Sequence, residues 1–78
     1  PEIAEYIATL GYRVVAHSEK PEQPFTFFVV RSPQINAFAA PGGVVGTNAG
    51  LIVTAETESE LAAVLAHEVA HVTQRHIV

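Results

Sequence analysis

Cysteine is absent from the chain, so neither a disulfide nor a thiolate metal site can brace it. That absence fits cytoplasm and periplasm equally and does not choose between them. Positive charge is scarce. Four Lys plus Arg, scattered at Arg13, Lys20, Arg31 and Arg75, stand against eight acidic residues and leave a net charge of −4. No basic stripe is available to follow a phosphate backbone, so nucleic acid is not an expected partner. No apolar run approaches the roughly 18 residues of a membrane span, and no charged segment followed by an apolar one opens the chain. Membrane association would have to come from sequence outside this stretch. Gly42-Gly43 reads as a turn, and nothing follows the pattern of a phosphate-binding loop.

Seventy-eight residues, 49% of them hydrophobic, make one small domain at most, burying only about 60% of the surface of the unfolded chain. The chain opens at Pro1 without a methionine and stops at Ile77-Val78 without a helix-ending glycine or proline. The expectation is a piece of a longer protein, with residues 1–78 forming a single partial domain.

What the sequence does hold is His67-Glu68-Val69-Ala70-His71, an H-E-x-x-H pattern. At about 100° of rotation per helical residue, two histidines four apart project from one face, one turn from each other, and can hold one metal ion together. Glu68, rotated off that face, is placed to reach a water on the metal rather than the metal itself, the general-base position of a zinc peptidase. Five residues match by chance often, so the setting matters. Thr57-Glu58-Ser59-Glu60 has the S/T-x-x-E form of a capping box, with acidic residues where a helix N-terminus favours them. A helix is therefore expected from near Glu58. Leu61, Val64, Leu65, Val69 and Val72 give it an apolar flank that needs a core, and the motif is expected on a buried helix.

Upstream, Ile3, Tyr6, Ile7, Leu10, Val14 and Val15 form a helical stripe through residues 1–17. Gly11 interrupts it at a cost of about 1 kcal/mol against Ala, so a helix ending there with a strand over Tyr12–Ala16 is the rival reading. Ser18 to Pro24 reads as a loop. Phe25 to Val30 is aromatic and β-branched and reads as a buried strand; Ile35 to Ala39 is a second strand, Pro41-Gly42-Gly43 a turn, and Val44 to Thr47 its return. Ala49 to Thr54 is expected to form a short helix. The fold class is α+β: an N-terminal helix, a sheet of about three strands, a short helix, then the long helix carrying the motif.

With these segments in order, the chain resembles the start of the catalytic domain of the zinc metallopeptidase family that includes the CAAX prenyl proteases, the heat-shock protease HtpX and periplasmic proteases of outer-membrane quality control. The resemblance covers essentially the whole chain. It rests on Asn36-Ala37-Phe38-Ala39 before Pro41-Gly42-Gly43, on Thr47 to Leu51, and on Ser59 through Val72. Thr73-Gln74-Arg75-His76 is most similar to the periplasmic branch, in which a tetratricopeptide-repeat domain often follows. The resemblance implies a zincin-like, gluzincin-type enzyme in which His67 and His71 bind one zinc ion per chain and Glu68 is the general base. It implies a third ligand, a glutamate on a later helix. It further implies that the strand Asn36, Ala37, Phe38 and Ala39 borders the cleft and takes extended polypeptide substrates along its edge. The implied substrates are misfolded or misassembled envelope proteins, and the implied compartment is the bacterial periplasm or cell envelope.

No third ligand is legible in these residues. His76, about 500° beyond His71, points some 140° away from it, and Glu60 is about 10 Å down the axis from His67. The metzincin pattern needs a glycine that Val72 to Arg75 does not offer. The blander alternatives are a pair of satisfied helix histidines and a solvent-facing Glu68; motif, cap and resemblance together favour the metal. His17 and His76 are read as helix-end or surface residues without a role. Phe25, Phe27, Phe28 and Phe38 are read as core rather than pocket. Two functions stand: a metalloendopeptidase completed by further sequence, or a non-catalytic binding or chaperone module that keeps the scaffold.

Overall fold

The computed structural model describes residues 2–74; Pro1, Arg75, His76, Ile77 and Val78 lie outside the described residues. The chain forms α1 (Glu2–Ala16), β1 (Thr26–Val30), β2 (Ala37–Ala40), β3 (Val44–Asn48), α2 (Ala49–Thr54) and α3 (Glu58–Gln74), an α+β arrangement. The three strands lie in the order β1-β3-β2. β3 is the middle strand, parallel to β1 and antiparallel to β2. Pro41-Gly42-Gly43 turns β2 into β3, and the positive φ of Gly42 (91°) and Gly43 (80°) is the left-handed backbone that only glycine adopts without steric cost.

One face of the sheet carries the core. Phe27 of β1 and Val45 of β3 meet Ile7, Leu10 and Val15 of α1 and Leu61, Leu65, Val69 and Val72 of α3, all buried. α1 runs unbroken through Gly11, so the rival strand does not form. The reason is a close approach: a Cβ at Gly11 would stand 2.6 Å from the Phe27 ring. Tyr12 closes the same contact, its ring 5.3 Å from Phe27 and edge-on, with its hydroxyl donating to the Phe25 carbonyl at 3.2 Å.

Several expectations are corrected. β1 is not the buried strand expected: within it only Phe27 is fully buried, Thr26 and Phe28 are exposed, and Val29 and Val30 are half-buried. Phe28 and Phe38 are not core: they flank Gly46 on the sheet face away from the helices, 36% and 42% exposed, and pack edge-to-face at 5.9 Å. Strand alternation forces this, since Phe27 and Phe28 must face opposite sides. Ile3 and Tyr6 lie outside the buried part of the α1 stripe, which starts at Ile7. β2 begins at Ala37, two residues later than the expected strand.

The capping box forms with one change. Thr57 Oγ1 accepts from the Glu60 N–H at 3.1 Å, but the Glu60 carboxylate reaches back to the Glu56 N–H at 2.9 Å instead of that of Thr57. Glu58 ties this end of α3 to α1. It accepts from the Tyr6 hydroxyl at 2.9 Å and from Arg13 at 2.7 Å. The Tyr6 bond first, and then Arg13, holds the Glu58 carboxyl below its ordinary range; the same bond to Glu58 raises Tyr6. His17 donates from Nδ1 to the Arg13 carbonyl at 2.9 Å, closing the last turn of α1.

Two outcomes follow from these contacts. Gly11→Ala, which helix propensity alone would make stabilising, is expected to lower stability by about 1–3 kcal/mol because the packed Phe27 ring must move; urea unfolding measures it. A depressed carboxylate stabilises the fold above its unfolded pKa and loses that contribution as pH falls through the folded value. Glu58→Gln is therefore expected to melt below the parent protein at pH 7, with the difference closing under about pH 4. Tyr6, raised, contributes below about pH 10 and loses its share as pH rises further.

Candidate metal centre

Leu61, Leu65, Val69, Val72 and Thr73 are the buried residues of α3, and they fix how the helix is rotated. At about 100° per residue, His67 and His71 lie within about 40° of each other and about 120–160° from the direction of Leu65. Both are exposed. The helix is buried along the apolar flank expected of it, and the histidines stand on the flank turned away from that core. Glu68 lies about 60° from both Leu65 and His71, and it is half-buried between core and histidines.

The two imidazoles converge. Nε2 of His67 and Nε2 of His71 are 3.0 Å apart, with ring centroids 4.5 Å apart and planes at 89°. At that distance one ring nitrogen can donate to the other. Two nitrogens each about 2.0–2.1 Å from one tetrahedral zinc would be separated by about 3.3 Å. The pair therefore fits a shared ion after a shift of a few tenths of an ångström.

Among the described residues no group of three or more His, Asp or Glu side chains gathers around one point. Glu60, on the histidine side of the helix, is engaged by the Glu56 N–H in the cap. His76 lies outside the described residues.

β2 lies at the sheet edge, and α3 packs against it. The Asn36 carbonyl accepts from the Asn48 N–H at 3.1 Å. In an antiparallel ladder that bond puts Asn36, Phe38 and Ala40 in hydrogen-bonded pairs with β3 and turns the amides of Ala37 and Ala39 to the open edge. Ala37 and Ala39 share the helix-facing side of the sheet, while Phe38 is exposed on the other. Asn36 itself precedes the strand and is exposed.

Asn48 was not legible as a site residue. An Asn before a short helix reads as an ordinary N-cap, yet its side chain makes no cap bond. It donates instead to Asn36 Oδ1 and, at 3.5 Å, to Gln34 Oε1. No helix among the described residues is long and apolar enough to cross a membrane.

The pattern of Peptidase family M48 matches residues 1–78. A protein of Vibrio cholerae serotype O1 whose name carries the words beta-barrel assembly-enhancing protease is 54% identical over 99% of this chain, which spans 16% of that relative's length. The beta-barrel assembly-enhancing protease of Escherichia coli K12 is 46% identical over the same shares of the two chains. The mitochondrial metalloendopeptidase OMA1 of Schizosaccharomyces pombe is 39% identical over 91% of this chain and 21% of its own. With the family's pattern matched along the whole chain and relatives 46–54% identical over nearly all of it, the chain belongs to peptidase family M48.

Proposed function

We propose that the full-length protein is a zinc-dependent metalloendopeptidase of zincin-like fold, with residues 1–78 as the N-terminal portion of its catalytic domain. The observation that carries this reading is the convergence of the His67 and His71 Nε2 atoms to 3.0 Å on one helix face, with Glu68 beside them. Membership of family M48 supports it. His67 and His71 would hold one zinc ion, and the third ligand, by family resemblance, is a glutamate on a later helix. Bound there, zinc would polarise the scissile carbonyl and make water acidic near neutral pH. Glu68 takes the proton from the attacking water and delivers it to the leaving amine. Its half-buried position limits how far the carboxylate wanders between these two tasks.

Asn36, Ala37, Phe38 and Ala39 would bind substrate. The outward amides of Ala37 and Ala39 offer an extended polypeptide the backbone hydrogen bonds of one more strand. The names of the bacterial relatives support envelope proteins as substrates, in the bacterial periplasm or cell envelope, and the family resemblance supports a repeat domain after the catalytic one. The net charge of −4 argues against nucleic acid as a partner.

The test is an anomalous-scattering map at the zinc edge from metal-replete crystals of the full-length protein, paired with assays of variants. The expected peak stands about 2.0–2.1 Å from both histidines, with one further protein ligand. Glu68→Gln is expected to keep the zinc and lose at least about 10²-fold in peptide cleavage, whereas His67→Ala and His71→Ala lose the metal. No peak would overturn the reading and leave a binding module on a retained scaffold. Residues 1–78 alone are expected to show little cleavage; robust Glu68-dependent cleavage by them would overturn the missing third ligand.

A further inference from the structure

We infer that Asn48 is a positioning residue for the substrate edge: from its buried place at the β3–α2 junction it turns the Asn36 carboxamide so that the Asn36 NH2 group faces outward where β2 begins, a donor for a carbonyl of an extended peptide. This rests on the proposal that the β2 edge receives substrate.

Asn48 stands at the N-cap of α2 with φ −74° and ψ 142°, a place where an asparagine side chain ordinarily accepts from the first turn. Here that duty is taken by the chain before β2, since the Ser32 carbonyl accepts from the Gly50 N–H at 2.9 Å. The Asn48 side chain is released to act across the sheet. It is 4% exposed, so its NH2 group needs partners within the protein. It finds them in Asn36 Oδ1 and Gln34 Oε1, both on the segment leading into β2. The Asn48 main chain adds the bond from its N–H to the Asn36 carbonyl.

Asn36 therefore turns both of its oxygens toward Asn48. A carboxamide carries its oxygen and nitrogen on opposite prongs, so fixing Oδ1 inward fixes Nδ2 outward. Asn36 is exposed, and among the described residues its Nδ2 donates to no other group. The outcome is a fixed donor one residue ahead of the outward Ala37 amide, on the same strand edge.

Asn48→Asp tests this with little change of shape. A carboxylate only accepts, so Asn36 must turn its NH2 inward and show Oδ1 to the substrate, oxygen against oxygen. In full-length protein cleaving fluorescein-labelled casein, Asn48→Asp and Asn36→Ala are each expected to raise KM about tenfold, the loss of one hydrogen bond, with kcat little changed; the melting temperature stays near that of the parent for Asn36→Ala, at an exposed position, and falls for Asn48→Asp, which puts a charge in a buried place. The double variant is expected to cost no more than either single one, because both remove the same donor. Additive effects, or a fall in kcat that tracks a fall in melting temperature, would make Asn48 a structural residue only and overturn the inference.

If Glu68-dependent cleavage of casein is absent, the peptidase reading fails by that result, and side-chain NH2 exchange in protein labelled with 15N-asparagine decides the positioning claim by itself. Slow exchange at Asn48, fast exchange at Asn36, and slowing of the Asn36 exchange in Asn48→Asp would sustain it; equal rates at Asn48 and Asn36 would overturn it.

Discussion

The apolar contact between α3 and the sheet is the constraint on which the rest depends. Leu65 and Val69 are 0% and 1% exposed, and Val45 and Ile7 across from them are 0%. Burying four such side chains is worth several kcal/mol in total, at about 1.5–3 kcal/mol each. Its structural effect is rotational. Once Leu65 faces the sheet, the 3.6-residue period leaves no freedom in where residues 67, 68 and 71 point. Core and candidate chemistry are thus two faces of one decision, made by the order of apolar residues along a single helix. The tie of Glu58 to Tyr6 and Arg13 adds a second constraint at the other end of α3, weak because it is exposed and screened by solvent.

The sheet supplies a different kind of order. Its middle strand was the last to arrive in sequence, inserted between an earlier parallel neighbour and the strand that immediately precedes it. This leaves β2 at an edge while Gly42 and Gly43 hold its turn and the Thr26 N–H donates to the Gly43 carbonyl at 2.8 Å. β2 is thus an edge strand held at one end by a glycine turn and at the other by asparagine side chains.

What could be read from the sequence was what local rules decide. The long helix, its cap at Thr57, the glycine turn, the short helix and the histidine pair all follow from spacings of four residues or fewer, and the structure contains each of them. The parallel pairing of β1 with β3 joins residues 18 apart in register, as in Thr26 with Val44, and no local pattern specifies it. The same gap explains Phe28 and Phe38. Their hydrophobicity suggested a core, but which side of a sheet faces helices depends on where α1 and α3 dock. Asn48 escaped notice for a related reason, since its local role and its long-range partners call for the same residue type.

One consequence of the Ser32-to-Gly50 bond reaches beyond geometry. α2 has six residues, far short of the dozen or so at which an isolated helix becomes marginal in water. Its first turn is held by a carbonyl from the connection between β1 and β2, and that connection is in turn held by Asn48. Neither element has an independent reason to be ordered. They form one cooperative unit that opens as a whole or stays closed as a whole, so the free energy of local opening measured in residues 31–36 and in residues 49–54 should take one common value.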